Sequence, residues 1–165
     1  MQNVGTMENE IKLEFIEKSE KAALYTICFN GDDISEFGKF MKKYKNHANL
    51  NRDYMYIVYA LGKILENGVL ERYFRPEGKI NDNLHALPLE HGKLRLYCLR
   101  LTDQILILGN GGIKNTRTYN EDEELSGYVI SLQKFDELLK TEIRRGTVTI
   151  EHTDISDIKD KVFKI

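Results

Sequence analysis

The sequence predicts an α+β fold: an antiparallel sheet of about four strands, an N-terminal helix pair packed on one face, and a C-terminal helix. Three observations predict it. Apolar residues recur at helical spacing over residues 35–67, run at strand length and strand spacing between residues 84 and 108, and return to helical spacing after residue 131. Consecutive strands after a helix pair favour an antiparallel sheet. With 165 residues, 41% of them hydrophobic and 30% charged, the chain suits a single domain with a sizeable core. Residues 24–119 are expected to form that core, residues 1–20 a peripheral extension, and residues 120–165 a helix and tail.

Each element has its own warrant. Leu24 to Phe29 is short, β-branched and aromatic, and Asn30-Gly31 closes it as a strand. Ser35 is an N-cap for a helix whose Phe37, Phe40, Met41 and Tyr44 share one face. Asp53 to Glu66 carries a wide apolar stripe from Tyr54 to Leu65, and Asn67-Gly68 stops it. A polar loop from Glu71 to Asn83 holds Arg72, Arg75 and Lys79. Leu84 to Leu89 is a strand that Pro88 pushes toward an edge or bulge. Lys93 to Leu101 is a strand with Leu94, Leu96 and Cys98 on one face and Lys93, Arg95 and Tyr97 on the other. Thr102-Asp103 turns the chain into Gln104 to Leu108, apolar on both faces as in a covered strand. Glu121 to Glu124 reads as an acidic loop or a short helical turn, and Ser131 caps a last helix that ends at Gly146. Thr147 to Ile150 has the makings of one more short strand.

Composition excludes several classes. No apolar run approaches the roughly 20 residues that span a bilayer, and no signal peptide is visible. Cys28 and Cys98 each lie in an apolar run and read as buried thiols in a reducing, cytoplasmic setting. His47, His85, His91 and His152 are scattered, so neither a metal nor another cofactor is expected. The net charge of −2 gives no overall field for nucleic acid, but residues 71–119 carry 8 basic and 5 acidic groups, the only third with a positive balance. The stretch from Gly109 to Lys114 fails as a nucleotide-binding P-loop on spacing, and reads as a glycine turn after the covered strand.

Arg95 is the sharpest single residue. It cannot enter the apolar layer of Leu94 and Leu96 without a partner, so it points to the opposite face. There it is either salt-bridged to a carboxylate or a fork for two phosphate oxygens. Of the histidines, His85 and His91 border this strand and are the acid–base candidates.

The order of these motifs over residues 24–119 resembles the RelE/ParE toxin superfamily, in its HigB-like, phage-associated branch. The helix end Leu65-Glu66-Asn67-Gly68, the leucine strand followed by Lys93-Leu94-Arg95-Leu96, and the apolar strand ending in Lys114 carry the resemblance. It implies the order β-α-α-β-β-β-α. It also implies a toxin that cleaves mRNA on the ribosome through the RNA's own 2′-OH, without a metal, and that a cognate antitoxin, of helix-turn-helix type, neutralises. By position, Arg95, Lys114 and Tyr119 are the catalytic candidates, with His91 or His85 as the alternative to Tyr119 for proton transfer. Lys93, Arg117 and Arg75 would hold RNA phosphates. The alternative is a non-catalytic domain of this fold that binds a protein partner, suggested by the acidic segment Glu121 to Glu124.

Overall fold

Alternation along strand β5 (Leu94–Arg100) explains the layering of the molecule. Leu94, Leu96 and Cys98 enter one apolar cluster and Tyr97 and Leu99 enter another, so both faces of the sheet are covered. The computed structural model describes residues 10–77, 83–115 and 122–165. In chain order the remaining elements are β1 (Glu10–Lys18), β2 (Ala23–Phe29), α1 (Glu36–Tyr44), α2 (Asn51–Asn67), a 3-10 turn (Glu71–Tyr73), β3 (Arg75–Pro76) and β4 (Leu84–Leu87). After β5 come β6 (Ile105–Ile113), α3 (Glu123–Arg144), β7 (Ile150–Glu151), β8 (Asp154–Ile155) and β9 (Phe163–Lys164). The fold class is α+β as expected. The described sheet has seven strands rather than four, in the order β3-β4-β5-β6-β2-β1-β9, and β7-β8 form a separate ribbon. All neighbours in the large sheet are antiparallel except β2 and β6, which run parallel. The element order therefore departs from the expected β-α-α-β-β-β-α.

The helix pair forms for the reasons read from the sequence. Ser35 Oγ accepts from the Gly38 amide at 3.0 Å, capping α1, and Phe37, Phe40 and Tyr44 are buried. Helix α2 buries Tyr54, Ile57, Leu61 and Ile64, each worth on the order of 1.5–3 kcal/mol if removed fully from water. Gly68, at φ 108°, lets the chain leave α2 in a conformation that a side chain disfavours, and Val69 is buried just beyond it. Buried Thr26 ties this layer to the sheet: its hydroxyl donates to Leu108 O at 2.8 Å and accepts from the Phe37 amide at 3.2 Å. On the other face α3 buries Leu125, Val129, Leu132, Phe135 and Leu139.

Several expectations are corrected. Of the loop and helical-turn readings of this acidic segment, the helical one holds for Glu123 and Glu124, because α3 starts at Glu123 rather than near Ser131. Asp122 Oδ1 accepts from the Leu125 amide at 2.9 Å, and Glu123 and Glu124 sit where a helix N-terminus favours negative charge. Within the span expected to be peripheral, residues 10–18 belong to the sheet: β1 pairs along its length with β2, and Ile11 and Leu13 are buried. Glu10, Lys12 and Glu14 alternate with Ile11, Leu13 and Phe15, a strand pattern written in the sequence. Leu84 to Leu89 stops as a strand at Leu87, ahead of Pro88, which lacks the amide that a ladder requires.

The stretch from Gly109 to Ile113 is not a turn but the second half of β6. Its glycines answer close approach. A Cβ on Gly111 would lie 1.8 Å from Arg95 O, and one on Gly109 would lie 2.7 Å from Leu132 Cδ1. The register shifts here, with Leu96 opposite Gly111 and Cys98 opposite Leu108. Two residues of β6, Gly109 and Asn110, thus face Tyr97 alone, which makes a β-bulge.

Candidate functional site

Beyond this bulge the hairpin opens. Arg95 stands opposite Gly112, Leu94 opposite Ile113, and the Lys114 amide donates to Lys93 O at 2.9 Å. The expected basic face of Lys93, Arg95 and Tyr97 is not one surface, because α3 covers the sheet there. Tyr97 and Leu99 are fully buried beside it, while Lys93 is exposed and Arg95 half-buried at its margin.

Among the described residues Arg95 is held by backbone rather than by a carboxylate. Its Nη1 donates to Gly92 O and to Leu94 O, both at 2.9 Å. Its Nε is buried and has no hydrogen-bond partner among the described residues. Burial, and after it the like charge of Arg75, push this guanidinium below its ordinary pKa. Arg75, on the edge strand β3, anchors to the same loop by donating from Nε to Pro88 O at 3.0 Å. The loop is clamped in turn: the Lys93 amide donates to Asp53 Oδ2 of α2 at 2.7 Å. Gly92, at φ 75°, lies so near that a Cβ there would sit 2.7 Å from Asp53 Cγ.

Lys114 lies in the same region. Its Nζ is 3.4 Å from Glu77 Oε1, and both side chains are mostly buried, 17% and 11% exposed. The charges of Glu77 and Asp53 also act on Arg95. At the open end of the sheet Lys114 thus pairs with Glu77, and Arg95 lies near enough to feel the charges of both Glu77 and Arg75. This arrangement can bind an anion, which would relieve the repulsion between Arg75 and Arg95.

The structure brings together Arg75, Arg95 and Lys114, with Lys93 on the adjoining loop. It does not bring in His85, which packs edge-on against Phe74 at 5.5 Å and whose Nδ1 contacts Asn83 O at 2.8 Å. His91 lies on that loop, at φ 76°, but its ring rests on Tyr56 at 5.3 Å. Arg117 and Tyr119 lie outside the described residues. Sequence reasoning missed Glu77 and Asp53, because their partners stand 37 and 40 residues away. The only local signal was a carboxylate next to a proline in a loop of mixed charge.

Cys28 and Cys98 are free and buried. Burial, then the charge of Glu14, pushes the Cys28 thiol up to about 11, and burial alone raises Cys98. Neither is a thiolate near neutral pH. Among the described residues, no group of three or more His, Cys, Asp or Glu side chains is placed to hold a metal ion, and no helix is long and apolar enough to cross a membrane. Comparisons with protein-family models, with curated proteins and with solved structures each return no match.

Proposed function

We propose that the chain is a metal-independent endoribonuclease of the RelE/ParE toxin type, with the cluster around Arg95 as its phosphate site. The reading rests on one observation. Arg75 and Arg95 are fixed to the two ends of one loop, at Pro88 O and Gly92 O, close enough for their like charges to act on each other. An RNA phosphodiester supplies the missing anion. Arg75 and Arg95 donate to its non-bridging oxygens, and the phosphate competes with Glu77 for Lys114.

Glu77, freed from Lys114, takes the proton of the 2′-OH. The 2′ oxygen forms a bond to phosphorus, the bond from phosphorus to the 5′ oxygen breaks, and the Lys114 ammonium protonates the leaving oxygen. The products are a 2′,3′-cyclic phosphate and a 5′-hydroxyl. The two guanidiniums stabilise the charge that grows on the phosphorane oxygens, where removal of one donor costs about 100- to 1,000-fold in rate. The substrate is mRNA, taken on the ribosome, and the natural inhibitor is an antitoxin protein.

The test is cleavage of mRNA by the purified chain, with and without ribosomes, in a chelating buffer, with the new ends mapped. Cyclic phosphate ends and a 100- to 1,000-fold loss in Arg95→Gln, at unchanged circular dichroism, are expected. Intact RNA under both conditions, together with normal growth on induced expression, would overturn the reading. The second reading, a non-catalytic domain that binds a protein partner, is favoured by the closed Lys114–Glu77 pair, which already occupies the lysine.

A further inference from the structure

The loop that anchors both arginines has a second neighbour. Tyr56 and Tyr59 of α2, Tyr73 of the 3-10 turn, and Leu89 and His91 of the loop line a groove of about 200 Å³. Tyr59 is 67% exposed and Tyr56 38%, high for aromatic side chains on a helix whose opposite stripe fills the core. Two cations attend these rings. Lys63 Nζ lies 5.5 Å from the Tyr59 ring and the Arg72 guanidinium 5.2 Å from the Tyr73 ring. Lys63 has only a loose, exposed contact with Glu66 at 3.9 Å, and Arg72 has no carboxylate partner among the described residues.

The groove is pre-formed. Left-handed His91 and Gly92 turn the loop so that the His91 ring lies on Tyr56, and the bond from the Lys93 amide to Asp53 holds that loop to α2. Flat, exposed aromatic rings beside cations are the surface on which unpaired bases stack while their phosphates find charge. The volume suits one planar ring. The groove is also continuous with the phosphate cluster, since Pro88 both lines it and accepts from Arg75.

We propose that this groove stacks one unpaired base of single-stranded RNA, with Lys63 and Arg72 on its phosphate, and so sets which nucleotide reaches Arg95. The inference rests on the nuclease reading but is measured apart from cleavage. The probe is a short fluorescent oligoadenylate with 2′-O-methyl groups, which lacks the attacking hydroxyl, and binding is followed by anisotropy. Tyr59→Ala, at an exposed position, is expected to weaken binding about tenfold or more, and Tyr59→Phe to restore it. Binding of inorganic polyphosphate should be unchanged in Tyr59→Ala and weakened in Arg95→Gln. In adenosine monophosphate titrations followed by NMR, the Tyr56, Tyr59 and Ala60 signals are expected to shift. The proposal is overturned if Tyr59→Ala binds the oligoadenylate like the wild type. It is equally overturned if the wild type ignores the oligoadenylate, or if a proline-rich peptide shifts those signals and nucleotides do not. RNA cleavage with no effect of Tyr59→Ala removes the groove and leaves the nuclease. Stacking without cleavage does the reverse.

Discussion

At the turn end of the β5–β6 hairpin, Leu99 faces Ile107 and both are fully buried, one helix layer above and another below. At the open end of the same two strands, Arg95 faces Gly112, and Lys114 follows within reach of Glu77. The bulge at Gly109 and Asn110 separates them. The turn end has large side chains at every position and space for each. The open end has glycines where backbone and helix come too near for a Cβ, and charge where the helix cover gives out. One hairpin thus anchors a core and presents cations, and the change happens within two residues.

Four experiments break or sharpen that contrast, from the largest effect down. Leu99→Ala should cost about 2–5 kcal/mol in urea unfolding, because it leaves a cavity in a fully packed layer. A cost below about 1 kcal/mol would show that the turn end is not the anchor. Gly111→Ala should cost about 3 kcal/mol or lose the fold, since backbone rather than a flexible side chain blocks its Cβ. Gly127→Ala is its control: nothing lies within 4 Å of the added methyl, and a helix interior gains roughly 0.5–1 kcal/mol.

The third measurement is the pH dependence of stability. Tyr25, Tyr54, Tyr128, Cys28 and Cys98 all hold their protons more tightly in the fold, chiefly through burial. The unfolded chain ionises first, near the ordinary 9.0 of cysteine and 10.0 of tyrosine. Stability is therefore full below about pH 9 and falls as pH rises above it. Urea midpoints taken on either side of that pH check this, and a flat profile would mean that these groups ionise alike in both states. Arg95→Gln should have the smallest effect on stability, within about 1 kcal/mol. It loses two bonds to carbonyls but relieves repulsion by Arg75. A loss well above that would make Arg95 a strut of the open end rather than a ligand for it.

The readings that succeeded rest on local signals. Ser35 and Gly68 bound α1 and α2 because a cap and a left-handed exit are written in one residue each. The alternation of Leu94, Leu96 and Cys98 is legible because Lys93 and Arg95 mark the opposite face at the start of the strand. The misreadings concern distance through space. Gly109, Gly111 and Gly112 look like a turn until Leu132 and the Arg95 carbonyl are placed beside them. Asp122 outranks Ser131 as a cap because Leu125 and Val129 already face the sheet. In the candidate site Arg95 was legible as a basic residue on a strand and Lys114 as one at the exit of the next. Glu77 was not, since the contact that gives it meaning is made across two strands.

The parallel pairing of β2 with β6 has a consequence during synthesis. Ala23 pairs with Ile105, 82 positions later, whereas β1 and β2 can join as soon as both leave the ribosome. At about 5–20 residues per second, the inner edge of β2 waits roughly 4–16 seconds for its neighbour. During that time the apolar segment from Leu24 to Phe29 offers a free edge to any other strand. The nascent chain is then most open to misassembly at the line that becomes the middle of the finished sheet.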